Sequence, residues 1–349
     1  MAYTNIDDPS AYFQTKTYTG NGSNGYAITN DGNSDLQPDL WWVKNRDKTY
    51  DHNLYDSTRG TSLRLVSNST TAEATATDRI ASFDTNGFTL NGSVISNENN
   101  NPHVAWQWKA NGGTTSSNTD GTLTGGATVQ ANTDAGFSII TYTGTSQTNP
   151  TVGHGLNQAP ELVIVKNRDL ARNWAVGSTA VGWTKYLELD TTDAEATNSG
   201  WWGNQDPTST TVGLGTASQT AGNTYDYVMY AFHSVQGYSK FGSYVGNGSA
   251  DGTFVYTGFK PAWVMTKEIA AAGAWVMYDN KRSTTANPQD KYFSANTSDA
   301  EATFTQYDFV SNGFKFRTGG SENGSAEHIY MAFAENPFVT STGVPACAR

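Results

Sequence analysis

Short apolar stretches separated by glycine-containing turns run along the whole chain. Aliphatic runs are no longer than stretches such as Leu162–Val165, and Asn-Gly or Asp-Gly pairs such as Asn86-Gly87 and Asp251-Gly252 punctuate the sequence. These pairs supply the positive φ angles that tight hairpins require. In Leu40–Val43 the residues on both faces of a strand are apolar, which indicates a central strand covered on both sides. The pattern predicts antiparallel strands packed in two layers.

One sequence pattern occurs three times, as four blocks in a constant order: a Tyr-x-Gly opening, a proline that begins an apolar strand, an Ala-Glu-Ala-Thr block and an aromatic strand. The blocks begin at Tyr18, Tyr142 and Tyr244; at Pro38, Pro160 and Pro261; at Ala72, Ala194 and Ala300; and at Val104, Val228 and Ile329. The offset between Pro38 and Pro160 equals that between Glu73 and Glu195. A fixed offset of this kind is typical of internal structural repeats.

These blocks predict three units, each about the size of a small sandwich domain. The first unit spans residues 1–110, the second unit 136–237 and the third unit 238–338, with a C-terminal tail at 339–349. A connector at 111–135 is rich in Gly, Ser, Thr and Asn, but Ala127–Ala131 alternates like a short strand that adds to the second unit's sheet.

The direct junction at Gly237-Tyr238 predicts rigid docking of the second and third units, through an interface near Tyr238, Phe241 and Trp263. The first unit, beyond its polar connector, is expected to dock only by surface contacts.

Composition supports an all-β chain. Only 15% of the 349 residues are charged, and 35 are glycine, which disfavours long helices. Aromatic residues make up 12%, so the chain has enough large apolar side chains to fold despite its polar average. We therefore expect three tandem antiparallel β-sandwich repeats of the lectin-like jelly-roll type.

Charge and cysteine content exclude several classes of partner. The formal net charge of −11 provides no basic surface for nucleic acid or for an anionic membrane. Cys347 is the single cysteine, so an intrachain disulfide is impossible. The first residues show neither a basic region nor an apolar core of a signal peptide, and no apolar run is long enough to span a bilayer. We expect a soluble protein without a secretion signal.

The repeated glutamate is a candidate catalytic group, but its spacing favours a structural role. A hydroxyl residue precedes each copy by three positions, which is the spacing of a capping box at the start of a helical turn. The pairs are Thr70 with Glu73, Thr192 with Glu195, and Ser298 with Glu301. No second carboxylate recurs at a fixed distance, as a glycosidase would need. We predict helix capping at all three positions and no catalytic residue.

A charged cluster follows the central strand in two units. It reads Lys-Asn-Arg-Asp at 44–47 and at 166–169, whereas the third unit has Lys267-Glu268-Ile269. The cluster predicts a turn with local ion pairs, and the alternative is a contact between units or subunits. The five histidines have no metal-ligand spacing, and the loop Asp31–Asp35 lacks the calcium-loop pattern, so we expect no metal or cofactor.

Trp201 and Trp202 have no counterpart in the other two units. Asn204 and Gln205 follow them, so this aromatic loop with adjacent amides is a candidate for stacking on a sugar ring. The alternatives are a lid over the core or a subunit contact, where tryptophan is enriched. The sequence leaves these readings open.

Several of these stretches resemble repeat proteins of tailed bacteriophages, especially marine phages. The resemblance covers nearly the whole chain and rests on the Tyr-Thr-Gly-Asn-Gly-Ser opening and on the segments 38–46, 152–156, 237–244 and 334–338. It implies lectin-like jelly-roll units in a virion structural protein that is made in the host cytoplasm and has no assigned catalysis. No functional residue carries over from it.

The expected function is that of a non-enzymatic component of the virion surface, either a capsid decoration or a part of a tail fibre. Its expected partners are other virion proteins and further copies of itself. The alternative is a carbohydrate-binding adhesin that recognises cell-surface glycans.

Overall fold

A computed structural model describes residues 2–145 and 147–345. The all-β prediction is confirmed. Within the described residues, helix is limited to the single turns α1 (Val94–Asn97) and α2 (Ser199–Trp202) and to 3₁₀ turns at Pro9–Ala11 and Ser321–Asn323. Cys347 and the end of the predicted C-terminal tail lie outside the described residues.

The first unit consists of a six-stranded sheet and a three-stranded sheet, with all neighbouring strands antiparallel. The strands of this unit are β1 (Phe13–Thr19), β2 (Tyr26–Thr29), β3 (Leu40–Asn45), β4 (Asn53–Asp56), β5 (Gly60–Leu65), β6 (Ala74–Thr75), β7 (Ile80–Asp84), β8 (Gly87–Leu90) and β9 (Pro102–Trp108). The large sheet has the order β1-β9-β3-β4-β5-β6 and the small sheet the order β2-β8-β7.

The connector forms two strands that extend the sheet of the second unit. These are β10 (Ser116–Asn118) and β11 (Ala127–Asn132). The prediction of a short strand at Ala127–Ala131 is confirmed, because β11 pairs with the first strand of the second unit.

The second and third units repeat the strand order of the first. In the second it is β12-β19-β14-β15-β16-β17, with a separate β13-β18 pair. In the third it is β20-β27-β22-β23-β24-β25, and this sheet continues through β26 and β21. The second unit's strands are β12 (Phe137–Thr143), β13 (Thr151–Gly153), β14 (Leu162–Asn167), β15 (Ala175–Ser178), β16 (Lys185–Glu188), β17 (Ala196–Thr197), β18 (Thr211–Gly213) and β19 (Asp226–Phe232). The third unit's are β20 (Ser239–Val245), β21 (Phe254–Tyr256), β22 (Phe259–Glu268), β23 (Val276–Asp279), β24 (Gln289–Ser294), β25 (Ala302–Val310), β26 (Gly313–Phe316) and β27 (Glu327–Pro337).

Each large sheet has two buried faces, as the alternation in Leu40–Val43 predicts. Leu40 and Trp42 face a hydrophobic core that all three units share, whereas Trp41 and Val43 face a separate core of the first unit. The second and third units also have their own cores. The shared core is contributed by equivalent strands, with side chains that include Trp42, Trp106, Trp108, Ile164, Tyr230, Phe232, Trp263, Met331 and Phe333.

The expectation that the first unit docks only by surface contacts is wrong. Trp108 lies edge-on to Trp263 with ring centroids 5.8 Å apart, and Phe13 stacks on Phe333 at 5.0 Å. The polar connector gave no sign of this interface, because the apolar faces that form it belong to the sheets. The predicted junction between the second and third units is also buried, with Phe241 5.7 Å from Phe232.

Residues near the two chain ends also cross between units. The Thr4 hydroxyl donates to the carbonyl of Gln236 at 2.6 Å. Asp7 accepts a hydrogen bond from the backbone N–H of Ser341 at 2.6 Å. The three units therefore form a closed arrangement in which the first contacts both of the others.

Candidate functional site

The repeated glutamates lie at the boundaries between units. In each case the glutamate backbone N–H donates to a carbonyl of a neighbouring unit: Glu73 to Arg168 at 2.8 Å, Glu195 to Ile269 at 2.9 Å, and Glu301 to Arg46 at 2.7 Å. We call these boundaries the first–second, second–third and third–first seams. One equivalent backbone bond thus closes each seam.

The capping prediction is wrong at all three positions. Thr70, Thr192 and Ser298 lie in irregular backbone, and a strand rather than a helix follows each glutamate. The carboxylates of Glu73 and Glu301 accept hydrogen bonds from arginines instead of returning to a cap. A spacing of three residues is also compatible with extended chain, so the motif alone could not distinguish the two structures.

A buried ion-pair network spans the first–second seam. Glu73 accepts two hydrogen bonds from Arg168 of the second unit, at 2.9 and 3.0 Å, and one from Arg59 at 2.7 Å. Arg59 also contacts Asp56 at 2.6 Å, and the Tyr230 hydroxyl donates to Asp56 at 2.7 Å across the seam. Burial opposes ionisation of Glu73, but the two arginines outweigh it and lower its pKa.

The third–first seam carries the same network in equivalent residues. Glu301 accepts hydrogen bonds from Arg46 of the first unit at 2.7 and 2.9 Å, and from Arg282 at 3.1 Å. Arg282 contacts Asp279 at 2.5 Å, and Trp106 Nε1 donates to Asp279 at 3.0 Å. The arginines of the Lys-Asn-Arg-Asp clusters therefore bind a neighbouring unit, which was the alternative to local ion pairs.

The second–third seam lacks this network. Ile269 stands where the other units have arginine, and Glu195 pairs with the partly exposed Lys185. This is the seam whose two units follow each other without a connector. The two networks therefore occur at the seam bridged by the connector and at the seam between the first and third units, which are not consecutive in the chain.

Three equivalent lysines are buried along the seams, with their ammonium groups on carbonyl oxygens. Lys166 Nζ donates to Thr70 O at 2.8 Å, and Lys267 Nζ to Thr192 O at 3.3 Å, each in the preceding unit. Lys44 Nζ donates to Lys48 O at 2.7 Å and lies 5.2 Å from the ring centroid of Phe293 in the third unit. Burial lowers the pKa of each lysine to about 8.

Trp201 and Trp202 are core residues, so the reading in which they stack on a sugar ring is wrong. Both lie on α2, and their exposed fractions are 3% and 0%. Tyr186 covers the face of Trp201 with ring centroids 3.7 Å apart, and Trp183 packs edge-on against Trp202 at 5.5 Å. Of the three readings that the sequence left open, the structure matches the one in which this segment covers the core of its own unit.

The amides that follow this helix turn are placed differently from one another. Asn204 is exposed, and Gln205 Nε2 donates to Asn149 O at 3.1 Å. Gly203 ends α2 with a φ of 63°, which a glycine adopts without strain. This loop is folded onto its own unit, and its two tryptophan rings are not exposed to a ligand.

The histidines are distributed over the units and serve the packing. Burial lowers the pKa of His103 and of His154 to about 4, so both are neutral at pH 7. Within residues 2–145 and 147–345, no three side chains of His, Cys, Asp or Glu come together as a metal site. His103 and His328 instead stack on Tyr18 and Tyr244, with ring centroids 5.2 and 5.0 Å apart.

Sequence reasoning missed a cleft at the third–first seam. It has a volume of about 230 Å³, and its walls come from both units. The first unit contributes the loop Asp31–Asn33 and β1, and the third contributes Asn280, Lys281 and the end of β27. Only the observation that these two units meet could have revealed it, because its walls lie more than 200 positions apart in the sequence.

Comparison with known proteins places the chain in a family but supplies no activity. In the part of the chain that the structure describes, no helix has the length and apolar character needed to cross a membrane. A search of curated proteins gave no match. A family profile described as a domain of unknown function, DUF7483, matches residues 8–337, and the chain therefore belongs to the DUF7483 family.

Proposed function

We propose that this chain is a non-enzymatic structural protein on the surface of a tailed-bacteriophage virion, as a capsid decoration or as part of a tail fibre. The observation that carries the proposal is the core shared by all three units. Ion-pair networks close two of the three seams around it. Such a chain behaves as one rigid block, which is the property that a particle component needs.

The placement of the buried charges supports a structural role. Asp56 and Asp279 are fully buried, and each is bound by an arginine of its own unit and by an aromatic donor of a neighbouring unit. A catalytic carboxylate must reach a substrate, whereas these are enclosed and fully hydrogen-bonded. Their role is to hold units together.

The threefold repetition supports attachment at a symmetric position. Equivalent strands of the three units surround the shared core, so the units contribute to it with the same strand order. Symmetric assemblies bind one another through matching surfaces. A single chain with three like units suits a threefold axis, which capsid lattices and trimeric fibres both provide.

Mass spectrometry of purified virions tests the proposal. The chain should be present at tens to hundreds of copies per particle, and copy number distinguishes a decoration from a fibre component. Absence from intact, purified virions would overturn the proposal. Release of reducing sugar from host polysaccharide by the purified chain would contradict the non-enzymatic part.

A further inference from the structure

We propose that strand β21 of the third unit pairs edge to edge with β21 of a second copy of this chain. The two strands run antiparallel about a two-fold axis at Val255, so that the eight-stranded sheet of each chain continues into the other. The proposal does not rest on the virion role, because it concerns the purified chain in solution.

Each unit has an equivalent short strand at the end of a sheet. These strands are β2, β13 and β21; each follows the first strand of its unit and pairs with β8, β18 or β26. In the third unit, the Thr257 N–H donates to Asn312 O and the Phe316 N–H donates to Thr253 O. These bonds lie two residues on either side of Val255, so Val255 also directs its backbone groups to β26. The residues that flank Val255 therefore direct their N–H and C=O groups to the open side of the strand.

In the second unit the connector covers this open side. The Thr151 N–H donates to the hydroxyl of Thr122, and the Thr151 carbonyl accepts from the N–H groups of Thr122 and Leu123, all at 3.0 Å. The connector also lies against Gly153, where a Cβ would overlap Asn118 Oδ1. The structure thus shows an extended segment bound to an edge of this kind.

The third unit has no such segment to cover β21. It follows the second unit directly at Gly237-Tyr238, whereas the connector lies between the first and second units. Within residues 2–145 and 147–345, no backbone group pairs with the outward N–H and C=O groups of Phe254 and Tyr256. An open edge strand is a template for pairing with another chain. A strand from outside the chain can therefore occupy the side that the connector covers on β13.

The side chains of β21 distinguish it from the open edge of the first unit. Phe254 and Tyr256 are 45% and 55% exposed. The first unit has Ala27 and Thr29 at the equivalent positions of β2. Adjacent exposed apolar side chains mark interaction surfaces. The third unit thus has aromatic rings at the edge where the first unit has small side chains.

The Tyr256 ring is held by the N-terminal segment of the chain. The Tyr3 hydroxyl donates to Gly258 O at 2.8 Å and lies 3.2 Å from the Tyr256 hydroxyl. A side chain that is already held loses less conformational freedom when it becomes part of an interface. This contact therefore favours Tyr256 as a docking residue.

The edge is complementary to itself, which identifies a second copy as the occupant. With the two-fold axis at Val255, Phe254 of one chain lies opposite Tyr256 of the other. Each of these pairs exchanges two hydrogen bonds, so all outward backbone groups of both residues are paired. The two side chains of each pair lie on the same face of the joined sheet, and aromatic pairs across antiparallel strands are stabilising.

The charges beside the edge do not oppose the pairing of two copies. Lys315 of β26 pairs with Asp251, and Arg317, which follows β26, pairs with Asp308 of β25. These four charges sum to zero. The whole chain has a formal net charge of −11, so its copies repel one another on average. Next to β21 the paired charges remove that repulsion locally.

Sedimentation equilibrium on the full purified chain tests the proposal. We expect a monomer–dimer equilibrium with a Kd below about 100 µM. A contact about a two-fold axis closes on itself, so assembly should stop at the dimer. A monomer at every concentration up to about 300 µM, well above that Kd, would overturn the proposal and leave β21 to a strand of a different protein. Open-ended assembly would also overturn it.

Proline variants locate the contact. Phe254→Pro removes an outward N–H and an aromatic ring but no bond to β26, and proline is tolerated at edge positions whose N–H faces solvent. It should weaken the dimer about tenfold or more. Ala27→Pro, at the equivalent position of β2, is the matched control and should dimerise as the unmodified chain does. Equal dimerisation of the two folded variants would contradict the assignment to β21.

A second variant and a second measurement cover the case in which Phe254→Pro folds poorly. Phe254→Ala combined with Tyr256→Thr introduces the residues of the first unit and should also weaken the dimer about tenfold. Hydrogen exchange of segment 253–257 should slow at concentrations where the unmodified chain dimerises, whereas segment 26–30 should not change. A dimer whose segment 253–257 keeps its exchange rate would use a different surface, and the proposal would be wrong.

Discussion

Glu73 of the first unit forms a bidentate ion pair with Arg168 of the second unit, with oxygen–nitrogen distances of 2.9 and 3.0 Å. Glu73 lies in the Ala-Glu-Ala-Thr block of the first unit, and Arg168 follows the proline-led apolar strand of the second unit. The two residues are therefore far apart in sequence and belong to different blocks of the repeated pattern. Glu301 and Arg46 repeat the pair at the third–first seam. The repeated glutamate is therefore a contact between units.

Neutralising Glu73 should destabilise the whole chain. Glu73→Gln leaves the guanidinium of Arg168 without its carboxylate and weakens the hold on Arg59, whose side chain is only 1% exposed. Removing one partner of a buried ion pair costs several kcal/mol, so we expect a loss of about 3 kcal/mol. Glu195→Gln is the matched control, because its lysine partner is 39% exposed and the loss should stay below about 1 kcal/mol. Urea unfolding of both variants measures the difference, and equal losses would contradict the role of the network.

Truncating the side chain of Trp202 should lower the free energy of unfolding of the chain. The side chain is fully buried in the second unit's core, so Trp202→Ala should cost about 3–5 kcal/mol. Asn204→Gly is the control, because Asn204 is exposed and its φ of 55° suits glycine. It should change the free energy of unfolding by about 0.5 kcal/mol or less. Thermal or urea unfolding provides the comparison, and a stable Trp202→Ala variant would show that the ring is not packed as described.

A cut in the connector should leave the units together. Residues 111–122 are exposed at nearly every position, so a protease of broad specificity should cut there first. The shared core should then hold the two pieces in one particle on gel filtration, and they should separate only in denaturant. Elution of the second and third units as a separate native fragment would contradict the shared core.

Glu188 should make the chain less stable as the pH rises from about 4.5 to about 7. Burial and the nearby carboxylates of Asp190 and Asp193 raise its pKa from 4.5 to about 7. Between these two pH values the folded chain holds a proton that the unfolded chain has already released. The stability that this proton contributes is lost as the pH rises through the pKa of Glu188 in the folded chain. Glu188→Gln should stabilise the chain at pH 8 and have little effect at pH 4. The same substitution at the exposed Glu327 is the control, and urea midpoints at both pH values decide the result.

The buried lysines should make the chain more stable between pH 7.5 and pH 9.5. Their pKa is about 8 in the folded chain against a usual 10.5, so the folded chain loses these protons first. Stability rises with pH wherever the unfolded state binds more protons. Lys267→Met should remove about a third of the increase, since the three lysines are equivalent. A flat or falling stability over this range would contradict the prediction.

Local patterns predicted the strands well, because alternation and turn residues act over a few positions. The two buried faces of Leu40–Val43 and the short strand in the connector are both as expected. The association of the units was not predictable in the same way. It depends on one face of each large sheet, and no single unit's sequence shows what that face will contact.

The candidate site was harder to predict for the same reason. The adjacent amides made Trp201 and Trp202 a candidate for ligand stacking, but Gly177, far from them in sequence, leaves the space that Trp202 fills: a Cβ there would lie 2.9 Å from its ring.

The closed arrangement of the units means that their order along the chain is not what holds them in place. Asp7 and Ser341 already touch, and the connector is the exposed link between the first and second units. A circularly permuted chain, opened within the connector and joined between these two contacting ends, would keep every seam. The backbone connectivity is thus one of several that this architecture could accept, and the exposed connector is a natural point for inserting foreign sequence.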